Sequence, residues 1–374
     1  MQKAFKYRLF PTNAQKTKLE RTLALCRELY NAALQERRGA YQIARKTLNY
    51  YDQANQLPEI KELRPELNDV HSQVLQEVLK RVDLAFAAFF RRVKNGEAPG
   101  YPRFKGVDRY ESFTYPQTGF DFISCKLRLS KIGAVKIKLH RQLAGKVKTL
   151  TIRREAERWY ACFSVECEPV ILPQSAQRIG IDIGLESFAH FSDGQRIENP
   201  RFFRQEEKAL ARAQRKLSIA PRGSVERWRH KRVVRKIHAR IANRRLDFAH
   251  QEARKIVNRC GFIAIEALNV KGMSQGRLAK SIHDAAWSLF FVLLFAKAEE
   301  AGRTAVKVNP AYTSQTCHQC GRREKKALST RWHDCTNCGF KTHRDHNAAL
   351  NILTVGLHGY LAYEKEAPAL QAGE

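Results

Sequence analysis

The sequence predicts a multidomain α+β protein, and three changes of pattern along the chain indicate this. Its 374 residues exceed the usual size of one domain and favour two or three. Helical spacing of apolar residues near the start gives way to short alternating runs, and apolar strands mixed with long helices follow from about residue 178. Because hydrophobic residues make up 43% of the chain, these parts can form buried cores.

The first part combines one strand with a helical domain. Residues 1–10 alternate apolar and basic side chains, as a half-buried strand does, and a Pro-Thr-Asn break follows. A second helix is expected from about His71 to Val93. We therefore predict a helical domain over residues 11–95, whose first helix has one apolar side formed by Leu19, Leu23, Cys26 and Tyr30.

Residues 96–172 are predicted to form a strand-rich domain that strand 1–10 also joins. Its short alternating runs, such as VKTLTIRRE and RWYACFSVECE, are separated by glycine or charged turns. Such runs are typical of a small antiparallel barrel. The stretch EPVILPQSAQR is interpreted as a linker to an α/β domain over residues 173–374, in which the run LFFVLLFA is too short to span a bilayer.

Positive charge dominates the composition. The chain has 67 Lys and Arg against 37 Asp and Glu, a net charge of +30. Such a field attracts polyanions, and nucleic acid is the favoured partner. An anionic membrane is the alternative, but neither a lipidation motif nor an apolar signal segment is present. With five of the nine cysteines scattered, we expect a protein of the reducing cytoplasm, associated with the nucleoid.

A basic helical insertion is predicted over residues 204–258. Val234, Ile237 and Ile241 form one apolar stripe, and arginines and lysines surround it. Because acids are nearly absent between residues 227 and 246, i,i+4 pairs cannot hold these charges, although a solvated helix is an alternative. We favour a phosphate-contacting face made of Arg229, Arg232, Arg235, Lys236 and Arg240.

Four cysteines have the spacing of a zinc site. Two CxxC pairs are separated by fourteen residues, and a glycine follows each pair. Each pair places two thiolates on one turn, so that two turns enclose a tetrahedral ion. A redox dithiol is the alternative, but it typically uses a single pair. The sequence predicts a structural zinc site in a ribbon over residues 312–342, with ligands Cys317, Cys320, Cys335 and Cys338.

Three acids lie at the edges of apolar elements of the third domain. Asp182 stands between Gly180 and Gly184 on one strand face, and we expect the glycines to leave room for a metal ion and a phosphate. Glu266 ends an apolar strand, and Asp345 begins a helix. A turn aspartate, a salt-bridge partner and an N-cap are the respective alternatives. As a set, the acids suit a pair of Mg²⁺ ions that promote phosphodiester hydrolysis.

At these motifs the chain resembles a known family. GIDIGLESFAHFSDG, IAIEALNVKGM, NPAYTSQTCHQCG and CTNCGFKTHRDHNAALNI resemble, in order and spacing, the TnpB proteins, which are transposon-encoded RNA-guided DNA endonucleases related to type V CRISPR effectors. The resemblance implies an RNase H-like (RuvC) nuclease domain with an inserted zinc ribbon, a wedge β-barrel and a helical recognition lobe. It implies that Asp182, Glu266 and Asp345 are catalytic carboxylates.

The resemblance also implies partners. We expect a monomer with one guide RNA that binds double-stranded target DNA beside a short flanking motif, with sequence choice left to base pairing. Positions that read this motif in a relative fall near Tyr50, Gln76 and Thr114, and Arg344 is expected to contact a substrate phosphate. One departure stands out. Relatives often have an aspartate two residues before the last catalytic one, where this chain has His343.

Three other functions remain alternatives to guided cleavage. An RNA-guided regulator without cleavage usually lacks one of the carboxylates, and all three are present here. A DNA-joining transposase also uses three acids on an RNase H-like fold, but it needs neither a recognition lobe nor this zinc arrangement. A plain zinc-ribbon DNA-binding protein would leave the strand of Asp182 without a role.

Overall fold

The computed structural model describes residues 1–327 and 330–366, with the side chains of residues 363–366 left aside. The chain divides into two compact units, Met1–Glu168 and Pro169–Glu374. The expected mixture of helices and sheets is confirmed.

The helices of the first unit begin where the sequence caps them. Pro11 ends the first strand, and the Thr12 hydroxyl then accepts a hydrogen bond from the Gln15 N–H while the Gln15 side chain accepts one from the Thr12 N–H. The apolar side predicted for the first helix is buried. A 3-10 turn at Pro65–Asp69 accompanies four helices: α1 Asn13–Ala44, α2 Tyr50–Ala54, α3 Leu57–Leu63 and α4 Ser72–Lys94.

A seven-stranded antiparallel sheet forms the rest of this unit. Its strands are β1 Gln2–Phe10, β2 Ser112–Tyr115, β3 Phe120–Ile123, β4 Lys126–Leu129, β5 Gly133–Lys138, β6 Lys146–Glu155 and β7 Arg158–Glu166. In the order β2-β6-β7-β1-β5-β4-β3, the first strand lies at the centre. The sheet is strongly curled. Strands β3 and β7 are not neighbours in it, yet the rings of Phe122 on β3 and Phe163 on β7 stack with a centroid distance of 5.5 Å.

The second unit is built on a mixed five-stranded sheet. Its strands are β8 Arg178–Ile183, β9 Ser187–Phe191, β10 Arg196–Glu198, β11 Phe262–Glu266 and β12 Thr304–Val308, in the order β10-β9-β8-β11-β12. Strands β8, β11 and β12 are parallel, and β9 and β10 are antiparallel to their neighbours. The carboxyl ends of three strands therefore meet at one edge.

Helices cover both faces of this sheet. They are α5 Phe202–Ile219, α6 Val225–Arg259, α7 Val270–Met273, α8 Ala279–Ala285, α9 Trp287–Glu300 and α10 Arg344–Glu366. Ile179, Ile181 and Ile183 alternate onto one face and share a core with α6 and α9. The opposite face packs against α10. A two-stranded ribbon, β13 Trp332–Asp334 and β14 Lys341–His343, precedes α10.

Two helical features follow the sequence pattern. Ile237 and Ile241 on α6 pack against Leu210 and Ala213 of α5, so the predicted apolar stripe joins the basic insertion into a helical hairpin. Residues Ala279–Glu300 are long and apolar enough to cross a membrane by length and composition. However, the segment is broken at Ala286, which has a φ of 56°, and Phe290 and Leu294 lie in the core against the sheet.

The expectation that Gly180 leaves open space beside Asp182 is wrong. A Cβ at Gly180 would lie 2.1 Å from the Ala349 carbonyl oxygen and 2.7 Å from the Leu353 nitrogen of α10. The space that a side chain at residue 180 would occupy is therefore filled by the backbone of α10, which lies far away in sequence. Its absence brings α10, and with it Asp345, against the sheet.

Gly180→Ala is accordingly expected to destabilise the second unit. The added methyl group must push α10 off β8, and overpacking of this kind costs about 1–3 kcal/mol. Gly359→Ala is the matched control, because a Cβ at Gly359 of α10 meets nothing within 4 Å. Thermal unfolding should show a lower Tm for the first variant and an unchanged or higher Tm for the second. Equal Tm values would contradict the packing argument.

Candidate metal centre

The structure brings the three predicted acids together at one edge of the second sheet. Ala264 pairs with Gly180 in the parallel register, so Glu266 and Asp182, each two residues further on, project from the same face. Asp345 enters this face from the first turn of α10. As the helical spacing predicts, its neighbours Ala348, Ala349 and Ile352 are buried. Three elements that are distant in sequence thus supply one carboxylate each.

The electrostatics of these acids call for a cation. Burial, together with the nearby Glu266 and Asp345 carboxylates, raises the pKa of Asp182 well above its ordinary value, while Arg344 lowers it. Burial also raises the pKa of Glu266, against a hydrogen bond from Thr313. A buried carboxylate with two others nearby fits a bound dication, which compensates negative charge and takes oxygen ligands.

The four cysteines form a second cluster, and its geometry fits zinc. Their sulfur atoms lie within 4.8 Å of one another. The Cys317–Cys338 and Cys320–Cys335 sulfur separations are both 3.6 Å, close to the roughly 3.8 Å between the corners of a zinc–thiolate tetrahedron. A backbone hydrogen bond from Arg322 and the Asn337 side chain lower the pKa of the Cys320 thiol, which favours the ligating thiolate.

The two cysteine turns repeat one local structure. The N–H of Cys317 donates to the Arg322 carbonyl, and the N–H of Gly321 donates back to Cys317. Cys335, Phe340 and Gly339 repeat the same pair of bonds. The glycines have φ values of 74° and 71°, which explains the glycine after each pair. Each cysteine pair therefore lies on one turn of the fold, closed by a glycine.

Two buried asparagines attach the segment that runs from Thr313 to the last cysteine, Cys338, to α10. We call it the cysteine segment, and sequence reasoning missed both asparagines. Asn347 accepts the N–H of His318 at 3.0 Å and donates to the Thr316 carbonyl at 2.8 Å. Asn351, one turn later, donates to the carbonyls of Thr313 and Thr316 at 2.8 and 2.7 Å. Their spacing of four residues on the apolar side of a helix was the available signal.

The same segment holds Glu266. The Thr313 hydroxyl donates to a Glu266 oxygen at 2.5 Å, and both residues are buried. Because Asn351 binds the Thr313 carbonyl, the segment connects the acid of β11 to the helix that carries Asp345. Sequence reasoning missed Thr313 as well.

Histidines lie on the other side of Asp345. His190 pairs directly with Asp182 across β9 and β8, and its Nε2 lies 3.5 Å from an Asp345 oxygen. The ring of His343 stacks on that of His190 with a centroid distance of 4.9 Å. His190 was missed because a lone histidine on an apolar strand gives no signal until the strand pairing is known.

The arginines proposed for nucleic-acid contact differ in their surroundings. Arg229 and Lys236 are exposed on α6. Arg240 pairs with Glu206 of α5 at 3.0 Å, so an acid from the neighbouring helix supplies a partner that its own helix lacks. Arg232 stacks on the exposed Trp228, and Arg235 also has an interaction partner. Arg344 donates to the Ala327 carbonyl at 2.9 Å.

The three candidate contacts in the first unit are unequally accessible. Gln76 is exposed on α4, and Tyr50 begins α2, half-buried against the core. Thr114 is buried, and its hydroxyl binds Arg81 and Thr151, both at 2.8 Å. Elements α2 and β2 each pack against α4.

Comparison with protein families identifies three segments. Residues 162–277 match the OrfB_IS605 family, described as "Probable transposase", and contain Asp182 and Glu266. Residues 287–352 match the Cas12f1-like TNB domain and contain the four cysteines and Asp345. Residues 1–46 match a helix-turn-helix domain, although here they form β1 and the single long helix α1.

Individual relatives cover almost the whole chain. A protein of Streptomyces pristinaespiralis, provisionally named an RNA-guided DNA endonuclease, is 35% identical over an alignment of 369 residues that covers 96% of this chain and 90% of the relative. A protein of Escherichia coli K12, provisionally named RNA-guided DNA endonuclease InsQ, is 33% identical, and the alignment covers 96% of this chain and 93% of the relative. The structure of the mini-RNA-guided endonuclease CRISPR-Cas_phi3 aligns with a TM-score of 0.51 at 10% identity, covering 96% of this chain and 92% of that one, which shows similarity of fold.

These matches define the class of the protein as a nucleic-acid-cutting enzyme of the kind found in mobile elements and CRISPR systems. Within that class, the chain belongs to the TnpB family of RNA-guided DNA endonucleases.

Asp182→Asn is expected to stabilise the protein when no magnesium is added. A carboxyl group whose pKa is raised in the fold contributes stability below its ordinary pKa of about 4 and loses it as the pH rises through the folded value. The variant has no such loss, so its Tm advantage over wild type should grow as the pH is raised from about 4 to about 8. Thermal unfolding of the zinc-loaded protein measures this difference.

The control is Asp247→Asn, which changes an exposed carboxylate on α6. Its Tm difference from wild type should depend much less on pH. An advantage of Asp182→Asn that stays constant over the same range would contradict the raised pKa.

Proposed function

We propose that the protein binds a guide RNA from a transposable element and cleaves target DNA next to a short flanking motif, using Mg²⁺ at Asp182, Glu266 and Asp345. The single observation that carries this proposal is the convergence of three carboxylates on one face of the second sheet, with the pKa of Asp182 raised by burial and by the other two. The family membership and the net charge of +30 support nucleic acid as the substrate.

The residues of this chain would divide the work. Asp182, Glu266 and Asp345 would hold Mg²⁺, which would supply an activated water and stabilise the leaving oxygen when bound. Thr313 fixes the Glu266 carboxylate through its hydrogen bond, and Asn347 and Asn351 fix α10 and hence Asp345. Arg344 moderates the negative charge around Asp182.

The domains would have the roles known in the family. The strand order β10-β9-β8-β11-β12, with β9 antiparallel to β8, supports a RuvC-like domain from about residue 173. The curled seven-stranded sheet, from segments 1–10 and 96–172, would be the wedge barrel, and residues 11–95 the recognition lobe. Zn²⁺ would be held by Cys317, Cys320, Cys335 and Cys338 as a structural ion.

Contacts with the nucleic acids are proposed on this framework. Arg229 and Lys236 are exposed, as phosphate contacts must be. Gln76 is exposed as well and can read the flanking motif. Arg232, Arg235, Arg240 and Arg344 would have to exchange their present partners for phosphates. Thr114 would act through the position of Arg81, since its own hydroxyl is buried.

Plasmid depletion in cells tests the proposal. The protein and the RNA that flanks its gene face a matching target beside a randomised flank, with wild type run against Asp182→Ala. Wild type should deplete one flank motif, and the variant should deplete none, because losing one carboxylate removes a metal ligand. If neither depletes any flank while the RNA is still bound, the protein is an RNA-guided binding protein without cleavage.

Cys335→Ser tests whether the cysteine segment positions the acids or holds the whole fold together. If the segment positions Asp345 and Glu266, the variant should lose at least about tenfold in cleavage rate while its guide-RNA affinity stays close to that of wild type. Cys125→Ser, at an exposed cysteine of the first unit, is the control and should change neither. Equal loss of RNA binding and cleavage would show that the segment holds the whole fold together.

A further inference from the structure

Two histidines beside the carboxylates have no part in the cleavage chemistry proposed above. His190 lies on β9 and is buried, with an exposure of 8%. His343 ends β14, and its ring is nearly parallel to that of His190, at an interplanar angle of 13°. The exposed Trp332, which pairs with His343 across the ribbon, packs edge-on against the His343 ring. Both imidazoles are thus held at the rim of the centre.

Their nitrogen atoms converge on one oxygen of Asp345. His190 Nε2 lies 3.5 Å from Asp345 Oδ2, and His343 Nδ1 lies 3.9 Å from the same atom. All three donor atoms are within 4.8 Å of one another. A dication with bonds of about 2.0–2.2 Å separates its ligand atoms by roughly 3–4 Å. The two nitrogen–oxygen separations have this size. Because the two rings are nearly parallel, one of them must turn for both nitrogens to bind the same ion.

One nitrogen of each ring lies on the side of Asp345. His343 Nδ1 accepts a hydrogen bond from the backbone N–H of Asp345 at 3.3 Å, and a metal ion bound at this nitrogen would replace that hydrogen bond.

We propose that His190, His343 and Asp345 bind a borderline transition-metal dication of the Fe²⁺, Co²⁺, Ni²⁺ or Zn²⁺ kind. Two imidazoles and one carboxylate favour such ions, whereas Mg²⁺ prefers an all-oxygen set. The assignment deepens the proposed function and rests on it for the role of Asp345, which the two sites share. The histidine pair would thereby place a transition metal at the edge of the nuclease centre.

Cobalt binding to the RNA-free protein tests this site. The cysteine cluster is first loaded with Zn²⁺, and Co²⁺ is then titrated in an excess of Mg²⁺. Visible absorption counts the bound Co²⁺, and the absence of cobalt–thiolate charge-transfer bands verifies that zinc stays in place. Proton NMR should show exchangeable imidazole N–H signals shifted by the bound Co²⁺. We expect one equivalent of Co²⁺ that Mg²⁺ does not displace.

Variants assign the signal to its residues. The double variant His190→Gln/His343→Gln should lose the shifted N–H signals and at least about tenfold in Co²⁺ affinity. His230→Gln is the control, because His230 also lies near a carboxylate, Glu226 at 3.3 Å, but on α6. It should leave both readouts unchanged. The single variant His343→Asp, which keeps a ligand, should shift the preference from Co²⁺ towards Mg²⁺.

The outcomes separate this site from the cleavage proposal. Asp182→Ala should abolish target cleavage and still bind Co²⁺ through imidazole, because Asp182 is not in the histidine set. The site is disproved if Mg²⁺ displaces Co²⁺ from wild type, or if the shifted N–H signals survive in the double variant. An unchanged zinc content and Tm of the double variant verify that it is folded, and His343→Asp provides the same test with a smaller change.

Discussion

The burial of Asp182 beside two further carboxylates is the constraint on which the second unit depends. Asp182, Glu266 and Asp345 come from a central strand, its parallel neighbour and a helix, so tertiary structure alone holds them together. The strand register fixes two of them, and the close approach of α10 over Gly180 fixes the third. The fold gives up stability here, because it buries Asp182 beside two other carboxylates, as functional centres commonly do.

The cysteine segment lies outside the sheet and helps to hold two of the three acids in place. It contributes hydrogen bonds: Thr313 donates to Glu266 on one side, and the segment's backbone bonds to α10 on the other. A zinc ion held by the four cysteines, as proposed above, would thereby help to fix the positions of Glu266 and Asp345.

Sequence patterns predicted the elements well and their contacts poorly. Alternation in β8 and helical spacing in α10 identified the buried faces, because local periodicity determines which side of an element is apolar. The role of Gly180 was misread, since only the folded chain shows that the backbone at Ala349 fills the space. His190 and the Arg240–Glu206 pair were missed for the same reason: their partners lie on other elements.

The way α10 holds the cysteine segment has a consequence for sequence drift. Among the described residues, the hydrogen bonds of the Asn347 and Asn351 side chains are made with main-chain atoms of the segment, namely two carbonyls and one N–H. Main-chain atoms are the same for nearly every residue type, so these hydrogen bonds do not depend on the side chains of Thr316 and His318. Substitutions at such positions can therefore change the surface of the segment while its attachment to α10 is kept.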